Sequence, residues 1–104
     1  MAAFREGPFE VHCSAKNQAI FRAIQRKASR KGLGEAVLSA IKRIWQRLTD
    51  DPIEFGEPMY TLPALHLDVR HGAIAPLMVY YGGHQQLPFV VIKGVVALPS
   101  RDAL

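Results

Sequence analysis

The residues of this chain that could act on a phosphate ester are few and close together in the second half of the sequence. Arg70 lies between two imidazoles, His66 and His71, and Tyr80, Tyr81 and Lys93 follow within the next stretch. Breaking RNA through its own 2′-hydroxyl takes a base for the proton, an acid for the departing oxygen, and fixed positive charge for the crowded phosphorane. Arg70 is the strongest candidate for the charge, because a planar guanidinium presents two parallel donors to phosphate. Imidazoles such as His66 and His71 suit proton transfer, and Tyr81 could act as an acid or, like Tyr80, as a stacking surface. Lys93 interrupts an apolar run, so its ammonium is expected to reach a groove or a partner. Each has an ordinary structural use as well: Arg70 paired with Asp68, the histidines on surface or turns, the tyrosines as packing.

A second group is larger and differs in kind. From Ser14 to Thr49 there are nine basic residues and one acid, Glu35, a local charge of +8 in a chain whose total is +4. Arg22, Arg26, Lys27, Arg30, Lys31, Arg43 and Arg47 form the part expected to meet nucleic acid or an acidic protein, unless the block is only a solvated surface. No metal or other cofactor is expected. His66 and His71 are an odd number of residues apart across a strand end, and Cys13 has no neighbouring ligand at zinc spacing. Cys13, the single cysteine, lies in an apolar alternation and reads as a small buried hydrophobe.

The elements that position these groups follow from periodicity. Phe9 to Cys13 alternates like a strand, with Phe9, Val11 and Cys13 inward and Glu10 and His12 outward. Ser14 can cap a helix from Ala15 to Lys31, whose expected stripe is Ala19, Ile20, Ala23, Ile24 and Ala28. Gly32-Leu33-Gly34 links it to a second helix, Glu35 to Leu48, with a stripe of Val37, Ala40, Ile41, Ile44, Trp45 and Leu48. Pro52 to Pro63 reads as an irregular connector. In the next strand Leu65, Leu67 and Val69 should face the core, with His66, Asp68 and Arg70 opposite. Turns are expected at His71 to Pro76 and at Gly82 to Pro88, flanking strands Leu77 to Tyr81 and Phe89 to Leu98. The last is apolar on both faces and should lie inside the sheet, beside the first strand.

The expected fold is therefore α+β: a strand, a helical hairpin, then a three-stranded antiparallel meander, in one sheet with the helices on one face. A chain of 104 residues with 49% hydrophobic content suits one domain, 1–104, with a core of about 9–98. No apolar run reaches the roughly 20 residues of a membrane span, and Met1 to Pro8 lacks the order of a signal peptide, so a cytoplasmic protein is expected.

That order resembles the RelE/ParE superfamily of bacterial toxins. Ala40 to Pro58 is similar to the family's second helix followed by proline and glycine. Leu67-Asp68-Val69-Arg70-His71-Gly72 resembles its arginine-bearing strand, and Leu77-Met78-Val79-Tyr80-Tyr81 its aromatic strand, ahead of a valine-rich final strand. The resemblance covers about 9–98. It implies a toxin held by an antitoxin-like protein, acting either as a ribosome-dependent endoribonuclease on mRNA or as an inhibitor that binds DNA gyrase. It also implies a third possibility, a related fold that only binds. The nucleases of the family present several lysines and arginines on the sheet, whereas this sheet offers Arg70 and Lys93. The thin set favours a binding member over an efficient nuclease, and no membrane partner is expected.

Overall fold

A computed structural model describes residues 8–99. The readings of 1–7 as an unprocessed start and of the tail 100–104 lie outside the described residues. The chain forms strand β1 (Glu10–Cys13), helix α1 (Ala15–Arg30), helix α2 (Gly34–Asp50), a single-turn helix α3 (Pro52–Phe55), strand β2 (Glu57–Leu62), a 3-10 turn (Pro63–Leu65), and strands β3 (Leu67–Ile74), β4 (Leu77–His84) and β5 (Phe89–Ala97). The architecture is α+β, with three helices and one five-stranded mixed sheet in the order β1-β5-β4-β3-β2 among the described residues. β1 runs parallel to β5 and the other pairs are antiparallel. No helix among the described residues is long and apolar enough to cross a membrane.

The hairpin forms where its local signals lie. The Ser14 side chain accepts from the Asn17 amide at 3.1 Å and caps α1. At the other end Gly32 takes φ 76, and the amides of Gly32 and Leu33 return to Ser29 and Ala28, closing the last turn. Lys27 and Arg30 occupy that turn, where positive charge favours the carbonyl end of a helix. α2 buries Val37, Ala40, Ile44 and Leu48, as expected, against Leu77, Val79 and Tyr81 of β4 and Val90, Ile92 and Val95 of β5. In α1 the inward side holds Asn17 and Phe21 together with the expected Ile20, Ile24 and Ala28, while Ala19 and Ala23 are exposed. Phe21 decides the rotation: its ring has the most apolar area to bury, and positions two residues away on a helix point to the opposite side. Asn17 is buried because its side-chain amide donates to the Ile92 carbonyl at 3.1 Å, joining α1 to β5.

Three expectations about the sheet are corrected. The segment after Pro52 is not irregular: proline occupies the first turn of α3, where its missing amide is not needed, and β2 follows as a fourth meander strand. Pro58 is tolerated because β2 is an edge. The turns are shorter than expected. β3 continues to Ile74, leaving Ala75-Pro76, joined by a cis peptide, as its turn, and Gly82-Gly83 pair on both sides within β4. The faces of β3 are also exchanged. Arg70 pairs with Tyr81 and Gly72 with Val79, both of which face the helices, so Asp68 and Arg70 lie on the helix side. Leu67 and Val69 are buried on the opposite face, and Leu65 belongs to the 3-10 turn, 58% exposed. On this side α2 reaches β3 as well as β1 and β4, and the single-turn α3 adds to the cover of β3 through its bonds to Arg70 and the Phe55 ring over Gly72.

Candidate functional site

Arg70 stands at a corner built by α3. Its Nη1 donates to the carbonyls of Ile53 and Gly56, each at 3.2 Å, which ties the single-turn helix to the sheet. Tyr81, fully buried, donates its hydroxyl to the Pro52 carbonyl at 2.5 Å, and Phe55 stacks on its ring at 6.0 Å. Two glycines let the corner close. A Cβ on Gly72 would lie 2.6 Å from the Phe55 ring, and one on Gly56 would lie 2.7 Å from the His71 carbonyl. Burial pushes the Tyr81 phenol up to about 12, although the nearby Arg70 guanidinium opposes the shift. That hydroxyl is neutral, enclosed and already donating. On the other side Arg47 lies 5.0 Å above the Phe55 ring and binds Asp51 at 2.8 Å, and this hydrogen bond raises its pKa above the ordinary arginine value. Arg43, Gln46, Arg47 and Phe55 border an adjoining cleft of about 460 Å³.

The remaining candidates lie elsewhere. His71 pairs with Tyr80 across the strands, ring centroids 6.4 Å apart, on the face away from the helices. His66 sits at the end of the 3-10 turn with φ 53, exposed, its ring 5.9 Å from that of His84. Lys93 is the extra residue of a bulge, since Tyr81 pairs with Ile92 and Tyr80 with Gly94. It is exposed, which answers how an ammonium interrupts this strand. Arg70 and Tyr81 are thus on one side of the sheet and His66 and His71 on the other, with Lys93 in the bulge. Arg70 and Tyr81 alone are close, and both are engaged in holding α3. Among the described residues, no carboxylate or imidazole lies within salt-bridge distance of Arg70. Among the described residues, no group of three His, Cys, Asp or Glu could hold a metal ion. Burial raises the Cys13 pKa, which suppresses the reactive thiolate.

The hairpin presents a different surface. Arg22, Arg26, Lys27, Arg30, Lys31 and Arg43 are all exposed. Among the described residues, Arg47 is the only cation of α1 and α2 with an acidic partner within salt-bridge distance. Between the helices runs a shallow groove. One end is bordered by Phe21, Arg22, Leu38, Ile41 and Trp45, and it continues past Gln25, Arg26 and Ser29 towards Gly34 and Glu35. Leu33 and Leu38 are 48% and 38% exposed on this outer surface. An apolar floor beside unpaired guanidinium groups can take up an amphipathic segment with carboxylates along its margin.

The Arg70 corner could not be read from sequence, since it depends on Phe55 of a four-residue helix meeting a glycine of β3. The one signal was Pro52 after two aspartates, which marks the start of a helix as well as the end of one. No protein-family model, curated protein or solved structure matches the chain.

Proposed function

We propose that this protein is a RelE/ParE-like member of a toxin-antitoxin pair that acts by binding rather than as an efficient nuclease. The order of strand, helical hairpin and arginine-bearing and aromatic strands supports the relationship, with β2 as an addition to the expected three-strand meander. The observation that carries the binding reading is the contrast in how the cations are engaged: Arg70 is held by the carbonyls of Ile53 in α3 and of Gly56 just after it, whereas the α1 cations face solvent beside an apolar groove. The basic hairpin surface engages the target, and the partner that masks it is an antitoxin-like protein with an acidic amphipathic segment, whose apolar residues enter the groove over Leu38 and Trp45 and whose carboxylates meet Arg22 and Arg26.

The test is induced expression of wild type, Arg70→Ala, and the Arg26→Glu, Lys27→Glu, Arg30→Glu triple variant, read as growth and as integrity of messenger RNA. The expected result is a growth effect without loss of message, kept by Arg70→Ala and abolished by the triple variant. Message lost with wild type and restored only by Arg70→Ala would establish the endoribonuclease instead, since one transition-state donor is worth about two orders of magnitude in rate.

A further inference from the structure

The outer face of α1 differs in composition from the groove beside it. At about 100° per residue, Arg22 and Lys27 stand about 140° apart around the helix, and Lys16, Arg26 and Arg30 fall between them. All five are exposed. The other side chains of this sector are Ala15, Ala19 and Ala23, also exposed, so among the described residues the face holds no acid and nothing apolar larger than a methyl group. Glu35, the one acid of the basic block, is in the first turn of α2. A helix face kept only for solubility gains from interleaved acids, because like charges four residues apart, as in Arg22, Arg26 and Arg30, destabilise the helix. Here that repulsion is retained.

On the reading above, in which the basic hairpin surface engages the target, we propose that the target is double-helical DNA and that this face of α1 holds its phosphates from within the major groove. Composition selects this occupant over an acidic protein. A protein interface draws its energy from apolar and aromatic side chains buried at its centre, and this sector offers none, whereas the neighbouring groove has Phe21, Leu38 and Trp45. A polyanion needs only charge and close approach. The alanines supply the approach: a helix with full side chains is about 10–12 Å across, close to the width of about 12 Å of the B-form major groove, and methyl groups narrow α1 on the side that enters. Arg22 on one flank and Lys16 and Lys27 on the other then meet the phosphates of the two walls, with Arg26 and Arg30 between them. Contacts confined to phosphates carry no sequence information, so the binding is non-specific. An RNA duplex is disfavoured by shape, because the A-form major groove is deep and narrow.

Fluorescence anisotropy of the full chain with a DNA duplex of about 20 base pairs and mixed sequence tests the proposal. The expected dissociation constant is about 10⁻⁴–10⁻⁶ M near physiological salt, and five phosphate contacts give a slope of about −4.5 in log K against log salt. Lys16→Gln and Arg30→Gln should each weaken binding and reduce the slope by about one, with melting temperature within a few degrees of wild type, since both side chains are exposed. Ala19→Leu keeps the charge and should weaken binding about tenfold by holding the helix out of the groove. Lys93→Gln removes the same charge from the bulge in the sheet and should leave the slope unchanged. Any of four results overturns the assignment: no binding at about 50 mM salt, a slope unchanged in both α1 glutamine variants, an equal loss in Lys93→Gln and Arg30→Gln, or an RNA duplex bound as tightly as DNA. A growth effect lost in the Arg26, Lys27 and Arg30 triple variant, with no DNA bound by wild type, keeps the hairpin as the target surface and makes the target an acidic protein. DNA binding with this slope by a chain that has no effect on growth keeps the DNA assignment and removes the toxin reading.

Discussion

The α3 corner and the helical hairpin both place arginines beside aromatic rings, yet they use them in opposite ways. At the corner the fold employs the cations: Arg70 spans two carbonyls, and Arg47 joins Asp51 over Phe55. On α1 the cations have no acidic partner among the described residues and all face solvent, and Lys27 and Arg30 add only the small favourable effect of positive charge at a helix end. The number of cations is therefore a poor guide to a site. What separates the regions is whether each charge already has its hydrogen-bonding capacity taken up by the protein.

The strongest challenge to this contrast begins one helix away. Ile44 is fully buried between hairpin and sheet, and Ile44→Asp should cost about 4 kcal/mol by burying an unpaired carboxylate. Arg43→Asp, one residue earlier and exposed, should change stability by less than about 0.5 kcal/mol. Equal losses of melting temperature in the two would mean that α2 does not pack through its apolar stripe, and the division into engaged and unengaged faces would collapse.

Next in size is Tyr81→Phe. It leaves the Pro52 carbonyl without its buried donor and should cost about 1–3 kcal/mol. The pH dependence gives a second readout. The folded phenol is raised from 10.0 to about 12, so its extra stability is fully present below about 10 and is lost as pH rises through about 12. Denaturant unfolding across that window should show an alkaline decline in wild type that is reduced in Tyr81→Phe. Identical declines would place the titration elsewhere and remove Tyr81 from the corner.

The parts of the fold legible in the sequence are those set by local periodicity. The α2 stripe, the Ser14 cap, the Gly32 stop and the interior position of β5 all follow from residues close in sequence. The exchange of faces in β3 was not legible, because alternation reveals which residues share a side and leaves open which side the helices cover. Leu67 and Val69 are buried on the face that carries no helix among the described residues. Lys93 shows the same limit: a lysine in a valine-rich run signals an interruption, but only the pairing of Tyr80 and Tyr81 with Gly94 and Ile92 identifies a bulge. The candidate set failed to converge for this reason, since Arg70 and His71 are neighbours in sequence and lie on opposite sides of one strand.

A smaller effect is expected from Arg70→Ala, about 1 kcal/mol, because two charge-assisted bonds are lost at a partly exposed corner. Hydrogen exchange should show that loss locally, as faster exchange of the Phe55 amide, which donates to the backbone carbonyl of Asp51 just before α3. Lysine at position 70 should recover only part of it, since an ammonium lacks the planar fork. A variant as stable as wild type and equally protected at Phe55 would show that Arg70 is not committed to structure and return it to the list of functional candidates.

The smallest stability effect is the most informative about function. Reversing Arg26, Lys27 and Arg30 to glutamate should alter unfolding free energy by no more than about 0.5 kcal/mol, because exposed side chains without partners have little to lose. Two opposing terms keep the change small. Relief of repulsion within the basic block stabilises the variant, while acids at the carbonyl end of α1 oppose the helix dipole that Lys27 and Arg30 now complement. Salt separates the terms from any true contact, since both fade as the Debye length falls from about 10 Å at 0.1 M to about 3 Å at 1 M. Wild type and variant should therefore converge in melting temperature at high salt. A persistent loss of more than about 2 kcal/mol at 1 M salt would mean that these cations hold the fold together as Arg70 does, and the hairpin would no longer be a surface with its charges free for a partner.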